Sequence, residues 1–308
     1  MAMLNAGVGQ LVLPEIMWAI TRYLSGTQSC SREQLLERIS PASLQMRDGS
    51  QSTLQWMVGL GLLVDDEKGA LRFSGAFAEA PPKTETAFKR GLRLALLSDR
   101  ANEGLLDVSV QERGVDLVRG LCWLLAQSPL DTVWTWETAQ SRGAPDRGTG
   151  PTLRGVDGRM IVNDNRWNMF VHWAQYLGFA ERWTVGRGLR SISGAGLISN
   201  PARAVADAIA VLWAPGTEVA ATDFCGQILA FIPVLPGGRI SPASGRVDEA
   251  SAVSITLSYA MLVNSMGSLI SFTDKSDAGS SVLLDFERRG TPSFRRISSV
   301  SIGKASNG

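Results

Sequence analysis

Three stretches decide the fold: LQWMVGLGLLVDDEKGALRFS (residues 54–74), FVHWAQYLGFAERWTVGRGLRSIS (170–193) and SYAMLVNSMGSLISFTDKSDAGSSVLLDF (258–286). Each reads as the end of an amphipathic helix, a large apolar residue with Gly, an apolar pair, then a polar hairpin returning as a strand. A helix feeding a two-stranded wing is the second half of a winged-helix unit, a helix-turn-helix variant that can lay its last helix in a DNA groove. The expected fold is mainly α with small β-wings: three tandem winged-helix units joined by a connecting helix.

Working outward, residues 1–80 form the first unit. A helix over 13–24 carries Pro14 in its first turn, and a second over 31–39 opens with the capping box Ser31 and Gln34 and stops before Pro41. A third helix then leads to a hairpin with its tip at 67–69. Pro81-Pro82 breaks the chain, and a connecting segment, 81–112, holds a helix expected over 84–106. The second unit, 113–196, has helices over 115–127 and 130–138, a Gly-, Pro- and Arg-rich loop over 140–159, and a third helix capped by Asn163 or Asp164. The third unit, 197–302, starts its first helix at Asn200-Pro201, continues over 222–232, and places its third helix over 248–266 and its wing turn at 276–279. Residues 303–308 read as a loose tail. Unequal gaps between Gly61, Gly178 and Gly267 indicate a tandem of similar domains, not a strict-period solenoid.

A chain of 308 residues with 44% hydrophobic and 19% charged residues suits a globular protein of two or three domains. Its net charge of +1 supplies no global field for nucleic acid, so any such binding has to come from local patches. Three separated cysteines, Cys30, Cys122 and Cys225, argue for buried reduced thiols and a cytoplasmic protein. The N-terminus lacks the basic leading region of a signal peptide, and no run of 18 apolar residues marks a membrane span.

Aligning Gly61, Gly178 and Gly267 separates the packed side of each third helix from its outward side. In the second unit Trp167, Phe170, Val171, Ala174 and Leu177 form the apolar stripe, opposite Asn165, Asn168, His172 and Gln175. Asn and Gln can bond adenine edges bidentately, and Arg166 can reach phosphate or guanine. The wing adds Arg182, Arg187 and Arg190, and the loop before the helix Arg142, Arg147, Arg154 and Arg159. This is the expected nucleic-acid surface, with double-stranded DNA as partner; a simply solvated face is the plain alternative, and His172 can equally serve as a buried hydrogen-bonding group.

The first unit's outward set is Asp48, Gln51, Gln55 and Val58, beside an acidic wing with Asp65, Asp66 and Glu67 that repels phosphate and points to protein contacts. The third unit's set is Ser254, Leu257, Met261 and Asn264, half apolar, which suits packing inside the chain, against a second copy or against a partner. Arg288, Arg289, Arg295 and Arg296 form a secondary basic patch, with Asp285 and Glu287 close enough to pair with some of them. Trp134, Trp136, Trp167, Trp173 and Trp183 read as core and rim of the second unit.

Catalytic signatures are missing: no GxxxxGK[ST], GxSxG, HExxH or CxxC, one histidine, and no paired-acid spacing for two metals. No catalytic residue, metal site or cofactor is expected.

The tandem plan is similar to that of bacterial DNA-binding or complex-scaffolding proteins, including accessory subunits of phage-defence and DNA-modification machinery. The opening MLN (3–5), LPEIMWAITRYL (13–24) and SREQLLERISP (31–41) resemble the G component of the Dpd clusters, which modify DNA with 7-deazaguanine. The resemblance covers residues 1–75 and implies a non-catalytic member of a modification or restriction system, with other subunits of that system as partners. The leading expectation is a non-enzymatic DNA-associated protein whose second unit touches DNA while the first and third bind partners or a second copy. Two alternatives stay open: a pure interaction module, like the tandem winged-helix subunits of chromosome-organising ATPases, and a transcriptional regulator.

Overall fold

The computed structural model describes residues 3–4, 11–27, 30–41, 47–105, 114–130, 133–142, 161, 163–183, 196–241, 252–276, 279–286 and 293–303. In chain order come helices α1 (Pro14–Ser25), α2 (Arg32–Ile39) and α3 (Arg47–Gly59), strands β1 (Leu63–Asp65) and β2 (Leu71–Phe73), and helices α4 (Ala76–Glu79), α5 (Glu85–Leu96), α6 (Val115–Leu125), α7 (Trp136–Arg142) and α8 (Asp164–Tyr176). There follow β3 (Ala180–Trp183), β4 (Gly196–Ser199), α9 (Ala202–Leu212), β5 (Glu218–Ala220), α10 (Ala221–Phe231), β6 (Ala252–Val253), α11 (Ile255–Met266), β7 (Ile270–Thr273), β8 (Val282–Asp285), β9 (Phe294–Ile297) and β10 (Ser299–Ile302). The chain is mainly helical with small sheets. It divides into two compact units, Met1–Arg119 with Val156–Leu177, and Gly120–Gly155 with Gly178–Gly308.

In the first unit, local signals set the helix starts. Pro14 stands at the head of α1, where its missing N–H costs nothing. Both capping-box bonds of α2 form: Gln34 N–H donates to Ser31 Oγ at 3.2 Å, and Ser31 N–H donates to Gln34 Oε1 at 3.0 Å. Strands β1 and β2 pair antiparallel, and their turn is held by Asp66, whose Oδ1 accepts from Lys68 N–H and Ala70 N–H. Phe88 of α5, fully buried, is the hub of the aromatic core, with ring centroids 5.4 Å from Trp18, 5.7 Å from Phe77 and 6.5 Å from Tyr176. Helix α5 stops at Leu96, ten residues before the expected end at 106. Asn102 Nδ2 donates to the carbonyls of Leu96 (2.7 Å) and Ser98 (2.9 Å), satisfying groups that another helical turn would otherwise cover.

The second unit departs from expectation in three places. Residues 130–138 do not form one helix: Trp134 exchanges two main-chain bonds of 2.8 Å with Leu197 of β4, and α7 begins only at Trp136. The helix expected over 248–266 begins at Ile255, capped by Ser254 Oγ accepting Leu257 N–H, because Ala252 and Val253 pair as β6 with β8. The third hairpin is not a two-stranded wing. Strand β7 lies in the sheet β5-β10-β7 and β8 in the sheet β6-β8-β9. The nearly continuous run β9–β10 takes both as partners and switches between them at Ser298, whose N–H bonds Thr273 C=O and whose Oγ accepts Lys275 N–H, each at 2.8 Å.

The helix ends explain a further correction. Gly61 and Gly178 both have left-handed backbone (φ +72° and +79°), the conformation that terminates a helix and that glycine adopts without strain. Gly267 does not; the left-handed residue there is Ser268, φ +61°. Leu62 N–H bonds Met57 C=O and Leu269 N–H bonds Asn264 C=O, so Ser268, not Gly267, corresponds to Gly61. Aligning on Gly267 is wrong by one residue, about 100° of helical rotation. Three of the four residues expected outward are inside: Leu257 and Met261 are fully buried, and Asn264 Nδ2 donates to Ala202 C=O and Ala260 C=O in the packed junction of α11 with α9, while Ser254 is half-buried at the helix cap. In α3, Asp48, Gln51 and Gln55 do face outward.

Gly61→Ala is expected to lower stability by about 1–2 kcal/mol, the cost of a left-handed L-residue, whereas Gly267→Ala changes it by less than about 0.5 kcal/mol. Denaturant unfolding of the two variants checks the contrast.

Candidate nucleic-acid interface

Helix α8 is started by its own sequence and positioned by its neighbours in the first unit. Asn163 Oδ1 accepts Arg166 N–H at 2.9 Å, and Asp164 in the first turn suits the positive end of the helix dipole. One side, with Trp167, Phe170, Val171, Trp173 and Ala174, is buried. Two buried hydrogen bonds then fix it: Trp173 Nε1–H donates to Val12 C=O at 3.1 Å, and Arg93 Nη1–H donates to Leu177 C=O at 2.9 Å. The other side brings together Asn165, Asn168 and Gln175, all exposed, with His172 half-buried among them.

His172 is held by a residue that the sequence did not single out. Its Nε2 lies 2.9 Å from Glu15 Oε2 of α1. Burial alone pushes the Glu15 carboxyl up, but the His172 hydrogen bond and the charges of His172 and Lys89 outweigh it and hold it below the usual range. Lys89 Nζ bonds Glu85 Oε1 at 2.9 Å and sits 4.4 Å from the centre of the Tyr176 ring. The Tyr176 hydroxyl is pushed up by burial first and by the negative charge of Glu85 second. Glu15, Glu85 and Lys89 lie on α1 and α5, far from α8 in sequence, so no local motif announces the cluster.

Arg166 is half-buried, and its positive charge acts on Asp116 of α6. The Asp116 carboxylate is buried and accepts the main-chain N–H groups of Met3 (3.1 Å) and Leu4 (2.7 Å). Burial raises its pKa, while those N–H groups and Arg166 pull it back in part.

In the second unit Arg182 is exposed on β3, beside Trp183, which is 50% exposed; Trp134 is buried. Arg187, Arg190, Arg147, Arg154, Arg159, Arg288 and Arg289 lie outside the described residues, as does the side chain of Arg142. Arg295 and Arg296 are exposed on β9: the Arg295 guanidinium lies 5.5 Å from the Phe272 ring centre, and Arg296 Nε bonds Ser281 Oγ at 3.1 Å with Asp274 Oδ1 at 3.7 Å. In the acidic hairpin of the first unit Asp65 is paired with Arg32 and Asp66 with Arg72, so two of its three acids already face cations. Cys30, Cys122 and Cys225 are buried and free; burial pushes the Cys122 and Cys225 thiols up to about 12 and keeps them protonated near neutrality. Among the described residues no three His, Cys, Asp or Glu side chains gather to hold a metal ion, and no helix is long and apolar enough to cross a membrane.

Two outcomes are expected. His172→Ala returns the Glu15 carboxyl toward its ordinary value, read by carbon NMR titration. A depressed carboxylate contributes stability that is present above its unfolded pKa and lost as pH falls through the folded one, so this variant loses less stability on acidification. Asp116→Ala leaves the Met3 and Leu4 N–H groups buried without acceptor and costs roughly 2 kcal/mol or more in denaturant unfolding.

Residues 1–278 match the family described as DpdG-like. Neither the curated proteins nor the solved structures yield a match.

Proposed function

The chain belongs to the DpdG-like family, and from that premise we propose that it is a non-enzymatic accessory component of a Dpd DNA-modification system that contacts double-stranded DNA through α8. In this reading the chain comprises three tandem units, 1–80, 113–196 and 197–302, linked by 81–112, the first two winged helices and the third a helical unit whose hairpin strands join two larger sheets. The first and third make the contacts with other subunits of the system. The family match over residues 1–278 supports membership well beyond the N-terminal resemblance.

The observation that carries DNA contact is the division of α8 into a locked side and a free one. Its apolar side is buried and its two buried hydrogen bonds fix its rotation, so the amides of Asn165, Asn168 and Gln175 face solvent in one orientation. A polar helix face held on a rigid support is what base reading needs. Arg182, with Arg187 and Arg190 further along the same stretch, is assigned to phosphate. Arg295 and Arg296, with Arg288 and Arg289, form a second, weaker phosphate patch.

The second reading is a protein-only scaffold, and the pairing of Arg32, Arg72 and Lys275 with carboxylates favours it, because those cations are already neutralised. Fluorescence anisotropy with a labelled duplex separates the two. The DNA reading expects binding at low salt that weakens as salt rises. It also expects loss of binding in the triple variant Asn168→Ala, Arg187→Ala, Arg190→Ala. Absence of binding at low salt, or unchanged binding by the triple variant, selects the scaffold.

A further inference from the structure

We propose that α8 reads adenine, so that the duplex it takes carries A·T pairs under Asn165 and Asn168. This inference rests on the reading that α8 meets duplex DNA and adds the base it selects. The exposed side chains on the free side of the helix are three carboxamides, Asn165, Asn168 and Gln175, and the carboxylate of Asp164 at the helix start. A carboxamide has a donor and an acceptor, which match the amino group and N7 of adenine in the major groove. Guanine presents two acceptors there and is matched by the two donors of a cation, usually Arg.

The structure removes the nearby cations from that role. Arg166, which the sequence alone offers to guanine, is half-buried, and its charge acts on the buried carboxylate of Asp116. Lys89 is bonded to Glu85 and lies over the Tyr176 ring. His172 is bonded to Glu15, so its Nε2 is committed within the protein. Asp164 Oδ1 accepts the main-chain N–H of Asn165 at 2.9 Å and so serves the helix start, which leaves the amide set for the bases.

Its spacing also fits. Asn165 and Asn168 are about 4.5 Å apart along the helix axis, at ~1.5 Å per residue, which is close to one base-pair step of ~3.4 Å. Both lie in the N-terminal half of α8, the part of a recognition helix that contacts base edges in helix-turn-helix proteins. Gln175 lies roughly 10 Å further along the axis from Asn168 and reaches a separate position.

The test is an anisotropy titration of the full chain with two labelled duplexes of equal length, one of A·T pairs and one of G·C pairs, at the same low salt. The A·T duplex is expected to bind about tenfold more tightly, the discrimination of one good bidentate contact. Asn168→Arg, a surface change, is expected to move the preference toward G·C, which a preference for groove shape alone would not do. Equal affinity for the two duplexes, or an A·T preference that survives Asn165→Ala with Asn168→Ala, overturns the adenine inference and leaves duplex contact standing. Failure to bind either duplex overturns duplex contact and the inference with it.

Discussion

The indole N–H of Trp173 on the carbonyl of Val12, and the Arg93 guanidinium on the carbonyl of Leu177, set the orientation of α8 in the first unit. Both bonds are buried, and loss of the Trp173 or Arg93 donor leaves a buried carbonyl one hydrogen bond short, a cost of about 1–3 kcal/mol. Together with fully buried Trp167 and Phe170 they allow one rotation of the helix about its axis. The exposure of Asn165, Asn168 and Gln175 is therefore a consequence of what the opposite side must bury. Around this contact, Phe88 joins α5 to α1, α4 and α8 through its three aromatic neighbours, so the support of the helix is the aromatic core itself.

Among the described residues several charges are paired locally. Arg32 with Asp65, Arg72 with Asp66, Lys89 with Glu85 and Lys275 with Glu218 place opposite charges side by side, consistent with a net charge of only +1. Exposed pairs of this kind add little stability, typically less than about 1 kcal/mol each, but they do suppress a broad positive field. A protein so balanced gains little from non-specific attraction to DNA. In the proposed reading, attachment to DNA has to come from the amide face and a few arginines, or from other subunits of the system.

Much of the first unit was legible in the sequence because its signals are local. Pro14 at a helix start, the Ser31 and Gln34 box, Asn163 as a cap and the apolar stripe of α8 each act within one or two turns, and each forms as read. What escaped depends on contacts between distant residues or on a single backbone angle. Glycine at Gly267 suggested a helix terminus by residue type, yet the left-handed position is Ser268, and that one-residue displacement turned buried Leu257 and Met261 outward on paper. The third wing is absent because β7 and β8 take other partners: β8 pairs with β9, the next strand, and β7 with β10, from Ser299↔Thr273 to Ile302↔Ile270, which no turn signal at 276–279 reveals. Glu15 beside His172 was likewise invisible, being 157 residues away in the chain.

The central claim is that the free side of α8, and not its locked side, meets DNA. Side-chain amide NMR tests it directly, because the NH2 groups of Asn165, Asn168 and Gln175 give signals distinct from those of the backbone. On titration with duplex DNA these three signals are expected to shift together and to exchange more slowly with water, while the buried indole N–H of Trp173 stays where it is. Shifts confined to other residues, with the three amides unmoved at saturating DNA, would contradict the account.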